Sequence, residues 1–86
     1  MMVDVVEVRP LGGYRLFLRF EDGVEGEVDV SRLISFDGVF GSLRDPARFA
    51  EVHLLRDLGT VGWPNGADLD PDVLYAKVTE KPVNAT

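Results

Sequence analysis

The stretch that decides the fold is Tyr14-Arg-Leu-Phe-Leu-Arg-Phe20-Glu-Asp-Gly-Val24-Glu-Gly-Glu-Val-Asp-Val30. On both sides of Glu-Asp-Gly, apolar residues recur at every second position, and this period is typical of half-buried strands. A three-residue loop over residues 21–23 pairs Phe20 with Val24 and brings the apolar side chains onto one face. Gly23 then takes the left-handed position of a type I turn with a G1 bulge. The sequence therefore predicts a β-hairpin of fixed register.

The opposite face of this hairpin carries charged pairs. The same register sets Arg19 opposite Glu25 and Arg15 opposite Asp29. We interpret these rows as a solvated surface rather than a ligand site, because opposite charges across strands stabilise a sheet modestly and need no ligand. A further strand precedes the hairpin at residues 3–8. Its alternation changes phase at Val5–Val6, which predicts either a bulge there or a strand that is buried on both faces.

The second half predicts short helices and a second hairpin. Ser31 is expected to cap a short helical turn, and Asp45-Pro46 is a strong helix start, since aspartate caps well and proline loses no hydrogen bond at the first helical position. Residues 51–56 and 60–63 read as strands joined by a turn at 57–59. This pairing sets His53 opposite Trp63.

A last helix is predicted to begin at Asp70-Pro71. Leu69 and Leu74 are placed to form a hydrophobic staple, and Leu74 and Val78 form the buried stripe. About five short strands with two or three short helices make a small single α+β domain. We expect this domain to span residues 1–78, followed by a loosely ordered polar tail at 79–86.

Composition excludes several classes of function. The 86 residues include nine Lys plus Arg and fifteen Asp plus Glu, for a formal charge of −6, which argues against direct nucleic-acid binding. The absence of cysteine excludes disulfides and thiol chemistry and fits a cytoplasmic location. No uncharged stretch approaches the roughly 20 residues of a membrane span, and the N-terminus does not resemble a signal peptide.

Few residues point to chemistry. His53 is the single histidine, and no serine lies in a Gly-x-Ser-x-Gly context. The sequence Asp68-Leu-Asp70-Pro-Asp72 begins like a calcium loop, but the sixth position is valine and the twelfth is threonine instead of glycine and glutamate. We therefore expect no catalytic residue, no cofactor and no metal site, and we do not expect an enzyme.

One segment remains a candidate for function, namely residues 63–68, whose side chains of interest are Trp63, Pro64, Asn65, Gly66 and Asp68. In a structural interpretation, the tryptophan packs into the core, Trp63-Pro-Asn-Gly66 forms a type I turn, and Asp68 accepts buried hydrogen bonds from it. In a functional interpretation, the tryptophan is partly exposed beside Asn65 and Asp68 as an interface anchor.

The segment Trp63-Pro-Asn-Gly-Ala-Asp68-Leu-Asp-Pro71-Asp-Val-Leu74-Tyr75 also carries a family resemblance. Together with Phe20-Glu-Asp-Gly23, Gly38-Val-Phe40, Asp45-Pro46 and Gly59-Thr-Val61, it resembles the domain of unknown function (DUF) family 2442. The resemblance covers residues 3–78. It implies a bacterial α+β domain similar to the N-terminal domain of a nitrifier hypothetical protein, with no established enzymatic activity. The helix-turn-helix domain that some relatives carry is not in this chain.

The resemblance further implies a partner. Members of the family are often encoded beside another small protein in a toxin–antitoxin-like arrangement, with this family as the presumed antitoxin. Two hypotheses follow: an acidic protein-binding module for a small, basic, co-encoded protein, and a small ligand-binding or enzymatic domain with its site around Trp63, Asn65 and Asp68. The charge of −6 favours the first, since it steers the domain toward a basic surface. The sequence leaves the oligomeric state open.

Overall fold

A three-stranded antiparallel sheet forms one side of the protein, in a computed structural model that describes residues 3–80. The strands β1 (Val5–Gly12), β2 (Arg15–Phe20) and β3 (Glu25–Asp29) lie in the order β1-β2-β3. The predicted register is confirmed: Leu18 pairs with Gly26, and the Phe20 amide donates to the Val24 carbonyl at 2.8 Å. Gly23 has a φ of +91°, as the G1 bulge requires.

The edge strand β1 is irregular at two points. Its register with β2 shifts between Val5 and Glu7, which agrees with the first of the two predicted alternatives, a bulge, and again between Pro10 and Gly12. Even-numbered residues of β2 direct their backbone N–H and C=O groups toward β3. Leu16 is one of them, so it makes no backbone hydrogen bond to its partner Pro10 on β1. The backbone nitrogen of Pro10 therefore faces away from β2, toward the outer edge of the sheet. Because proline has no amide hydrogen, it removes one donor from that edge and hinders the addition of another strand.

Short helices follow the sheet. A first 3₁₀ helix (Val30–Arg32) is capped by Asp29, whose carboxylate accepts from the Ser31 amide at 3.0 Å. The prediction that Ser31 is the cap was wrong, because the chain turns directly at the end of β3 and the last extended residue is Asp29. A second 3₁₀ helix (Gly38–Arg44) leads into α1 (Pro46–Phe49). Asp45 caps α1 as predicted, accepting from the Ala47 amide at 3.0 Å.

The second hairpin consists of β4 (His53–Leu55) and β5 (Thr60–Gly62), both shorter than predicted. Leu55 pairs with Thr60, so His53 lies opposite Gly62, and the predicted pairing of His53 with Trp63 was wrong by one residue. The loop has four residues rather than three, because the Gly59 amide returns to the Leu55 carbonyl at 2.9 Å, which leaves Arg56 outside the ladder.

Helix α2 (Pro71–Thr79) covers the inner face of the sheet beside β3. Asp70 caps it, accepting from the Asp72 amide at 2.9 Å, as predicted. Tyr75 packs edge-to-face on Phe20, with ring centroids 5.0 Å apart. The helix includes Thr79, the first residue of the predicted tail. Residues 81–86 of that tail lie outside the described residues.

The core lies between the sheet, the second hairpin and α2. Leu69 and Leu74, the predicted staple pair, are both buried in it. The buried apolar residues are Val5, Leu16, Leu18, Phe20, Val28, Val30, Leu43, Phe49, Val61, Trp63, Ala67, Leu69 and Leu74. This arrangement confirms the small α+β fold. Within residues 3–80, none of the helices has the length and apolar character that a membrane crossing requires.

Candidate functional site

The segment 63–67 closes on itself through the backbone. The Gly66 amide donates to the Trp63 carbonyl at 3.0 Å, and the Trp63 amide donates to the Ala67 carbonyl at 2.9 Å. Gly66 has a φ of +93°, a conformation that a residue with a Cβ atom rarely adopts. Pro64 occupies the second position of the turn, where its fixed φ is favourable. The predicted tight turn at residues 63–66 is therefore present.

Trp63 belongs to the core. Its side chain is 3% exposed, and the indole Nε1–H donates to the Phe49 carbonyl at 2.8 Å. The same residue therefore packs on the ring of Phe49 and holds the carboxyl end of α1. This agrees with the structural interpretation of Trp63 and not with the alternative of a partly exposed ring.

Asn65 joins the turn to the second 3₁₀ helix. Its Nδ2 group donates to the Val39 carbonyl at 2.9 Å and to Ser42 Oγ at 3.0 Å. Its Oδ1 accepts from the Ala67 amide at 3.0 Å. This last contact is an Asx-turn, in which an asparagine oxygen binds the amide two residues later. An asparagine within a turn is the sequence signal for this contact, but the structural interpretation gave the task to Asp68.

Asp68 does not make the buried hydrogen bond that the structural interpretation required. Its side chain is exposed, and among residues 3–80 its carboxylate has neither a hydrogen bond nor an ion pair. The backbone at this position forms an antiparallel bridge with Gly62, which fixes where the side chain leaves the chain. Asn65 is the residue that satisfies the turn, so Asp68 has no structural task of that kind.

Residues of the segment 63–68 line two separate surface pockets. The first, of about 420 Å³, is lined by Trp63, Pro64 and Asn65 together with Arg48 and Glu51 from the α1 region. The second, of about 210 Å³, lies between the 3₁₀ helices and the start of α2. We call it the α2 groove; its lining includes Leu33, Ile34, Phe40, Asp68, Asp70 and Val73. Trp63 and Asn65 thus line one pocket, and Asp68 lines the other.

The charged residues that line the α2 groove, Asp68 and Asp70, are both acidic. Between Arg56 and Lys77 the chain contains Asp57, Asp68, Asp70 and Asp72 and no lysine or arginine. Asp70 caps α2, and the helix dipole favours an anion at that end. The rim of the groove is therefore acidic.

Other titratable groups lie away from the segment 63–68. The Tyr75 hydroxyl donates to Asp22 Oδ2 at 2.7 Å, which lowers the pKa of Asp22 and raises the pKa of Tyr75. Hydrogen bonds from Ser31 lower the pKa of Asp29. His53 is exposed, with Nδ1 3.3 Å from the Glu51 carbonyl oxygen. In the part of the chain that the structure describes, no three His, Asp or Glu side chains form a group that could hold a metal ion.

Comparison with known proteins gives one result. The family model described as Protein of unknown function (DUF2442) matches residues 5–80. No curated protein and no solved structure matches the chain. The matched region includes β1 to β5, α1, α2 and the segment 63–68, which agrees with the resemblance seen in the sequence. The chain belongs to the DUF2442 family.

Proposed function

We propose that this protein is a small acidic protein-binding module that holds a small basic partner encoded beside it, in the manner of an antitoxin. The observation that carries the proposal is the α2 groove, which combines an apolar lining with an acidic rim. The formal charge of −6 supports it, because a net negative charge accelerates encounter with a basic surface. The proposal contains no catalytic step.

The residues of the groove support an interaction role better than a purely structural one. Val73 is 44% exposed on the first turns of α2, although Leu74 beside it is fully buried. The Asp68 carboxylate makes no hydrogen bond within residues 3–80 that would give this residue a structural role. An exposed apolar side chain beside acidic groups is a surface that a partner with the complementary pattern can cover.

Co-expression tests the proposal directly. The chain and the product of the adjacent reading frame would be produced together, with an affinity tag on only one of them, and then separated by gel filtration. We expect the two products to elute as one complex whose dissociation constant rises with salt, as a charge-steered interface requires. Separate elution at micromolar concentrations and low salt would refute the proposed partnership.

A second candidate function is a ligand-binding or enzymatic domain at the first pocket. Its volume of about 420 Å³ is within the range of small-molecule sites. Arg48 and Glu51 offer opposite charges at its wall, and their side chains approach to 3.6 Å. Asp68 is not part of this pocket, so the site would consist of Trp63 and Asn65 with the α1 residues. Saturable shifts of the Arg48 and Asn65 amides with a small-molecule fragment would favour this function.

A further inference from the structure

We infer that the α2 groove receives one apolar side chain from an exposed segment of the partner, while lysine or arginine residues flanking that side chain pair with Asp68 and Asp70. The inference rests on the proposed function and specifies the contact surface and the chemistry of the segment it binds. It concerns side chains on both sides of the interface and requires no backbone pairing.

The size of the groove indicates a single anchor. Its volume of about 210 Å³ is below the range of pockets that enclose a whole small molecule. The residues Leu33, Ile34 and Phe40 are half-buried and pack on the core, so they form an apolar wall that is already in place. Val73 adds an exposed apolar side chain from α2. A leucine-sized group entering here would remove apolar surface from water on both partners.

The charges around the groove indicate a basic segment. Asp68 and Asp70 are both exposed at the groove, and both are placed by the backbone, the first through its bridge to Gly62 and the second as the cap of α2. The nearest base in sequence to the groove wall, Arg32, already faces Asp29 at 3.8 Å. The acidic rim is therefore complementary to cations that come from outside the described chain.

Other surfaces of the protein are less suited to this role. The outer face of the sheet pairs its own charges, with Arg15 on Glu27 at 2.9 Å and Arg19 on Glu25 at 3.0 Å. The free edge of β1 is interrupted by Pro10. The α2 groove instead combines apolar surface with acidic groups that pair with no base among residues 3–80.

Amide NMR with a defined probe tests the inference. The probe is the capped tetrapeptide Lys-Leu-Leu-Lys, and the control peptide has glutamate in place of both lysines. We expect saturable shifts confined to residues 33–40 and 68–74 with the first peptide and none with the second. Asp68→Asn and Val73→Ser should each weaken binding by about five-fold or more, which is about 1 kcal/mol.

The chain offers a matched control pair. Asp57 and Leu58 are also an exposed aspartate and an exposed apolar residue in the same acidic stretch, but they lie on the β4–β5 loop. Asp57→Asn and Leu58→Ser make the same chemical changes away from the groove, so they should leave binding unchanged. Dispersed amide spectra for all four variants establish that each remains folded.

Several results would overturn the inference. Shifts centred on the first pocket, equal binding of the two peptides, or equal loss of binding in the control variants would each do so. A dimer in analytical ultracentrifugation that Val73→Ser dissociates would make a second copy of the chain the occupant. Peptide binding that occurs only after removal of residues 81–86 would make the occupant the chain's own end.

The outcomes also separate this inference from the proposed function. If the co-encoded product binds the wild-type protein and binds Asp68→Asn and Val73→Ser equally well, the α2 groove is not the contact surface, but the proposed binding function stands. If the basic peptide binds the groove but the co-encoded product does not bind the protein, the recognition chemistry stands and the partnership is wrong.

Discussion

The indole N–H of Trp63 donates to the carbonyl oxygen of Phe49 at 2.8 Å, and the two rings lie 5.4 Å apart. This contact joins the turn after β5 to the end of α1, two segments that are 14 residues apart in sequence. Tyr14 also packs on the Phe49 ring, in an edge-to-face arrangement with centroids 5.3 Å apart. The three aromatic residues therefore connect the sheet, α1 and the turn.

Trp63→Phe should lower the free energy of unfolding by about 1–3 kcal/mol, because it removes a buried donor and leaves a smaller ring in the core. The Phe49 carbonyl would retain only the longer contact from the Val52 amide, at 3.3 Å. Urea unfolding followed by circular dichroism measures the change. Tryptophan fluorescence cannot be used, because Trp63 is the only tryptophan in the sequence. Leu58→Ala, at an exposed site, is the control, and equal midpoints for both variants would contradict the prediction.

Substitution of Asn65 should lower the stability of the protein, whereas substitution of Asp68 should leave it nearly unchanged. Asn65→Ala removes three hydrogen bonds from the turn and should cost about 1–2 kcal/mol of stability. Asp68→Asn preserves shape at an exposed position and should change stability by no more than about 0.5 kcal/mol. Thermal unfolding of both variants checks this. A larger loss for Asp68→Asn than for Asn65→Ala would mean that Asp68 has the structural role of a hydrogen-bond acceptor for the turn.

Gly62 should tolerate no Cβ atom. An added methyl would lie 2.5 Å from Leu55 Cδ1 and 2.8 Å from the Ala67 carbonyl oxygen, and the second of these belongs to the backbone of the closed turn. Gly62→Ala should therefore destabilise by about 1–3 kcal/mol through overpacking. Gly41→Ala is the matched control, because the nearest atom there is 3.9 Å away. Equal urea midpoints for the two variants would show that the turn can move aside.

The Tyr75–Asp22 hydrogen bond should give the stability a defined pH dependence. It holds the pKa of Asp22 below its ordinary 3.8, so the carboxylate's contribution is full above that value and is lost as the pH falls through the lowered pKa. It also holds the pKa of Tyr75 above its ordinary 10.0, so the hydroxyl's contribution is present below that value and is lost as the pH rises through the raised pKa.

Tyr75→Phe tests this dependence. The difference in unfolding free energy between the wild-type protein and the variant should be largest near neutral pH and should shrink toward both extremes. Urea midpoints at about pH 3, pH 7 and pH 11 measure it. Asp22 still accepts from the Val24 amide in the variant, so part of its acid sensitivity remains. A difference that is constant across this range would mean that the contact does not couple folding to either proton.

The sequence predicted the β2–β3 hairpin because three requirements agreed there: apolar alternation, opposite charges across the strands and a glycine at the bulge. The β4–β5 hairpin lacked such agreement. Leu54 and Leu55 are both apolar, so alternation did not distinguish a three-residue loop from the four-residue loop that is present. The prediction was therefore wrong by one residue at His53.

The candidate site was predictable only in part. The turn at residues 63–66 follows from local chemistry, and proline and glycine marked it in the sequence. The α2 groove depends on residues 33–40 meeting residues 68–74, a contact that no periodicity shows. The sequence singled out Asp68 as a residue of interest but placed it beside Trp63, because neighbours in sequence were assumed to share a surface.

Residues 57–76 contain aspartates but no lysine or arginine, so this stretch can be cross-linked to a partner through its carboxylates alone. Reagents that join two amines have no lysine to react with in this stretch. A carbodiimide, which joins a carboxylate to an amine, would link Asp68 or Asp70 to a lysine of a bound partner. Trypsin would then release residues 57–77 as one peptide. Its mass would identify the attached partner peptide, and its fragmentation in the mass spectrometer would locate the aspartate that carries the link.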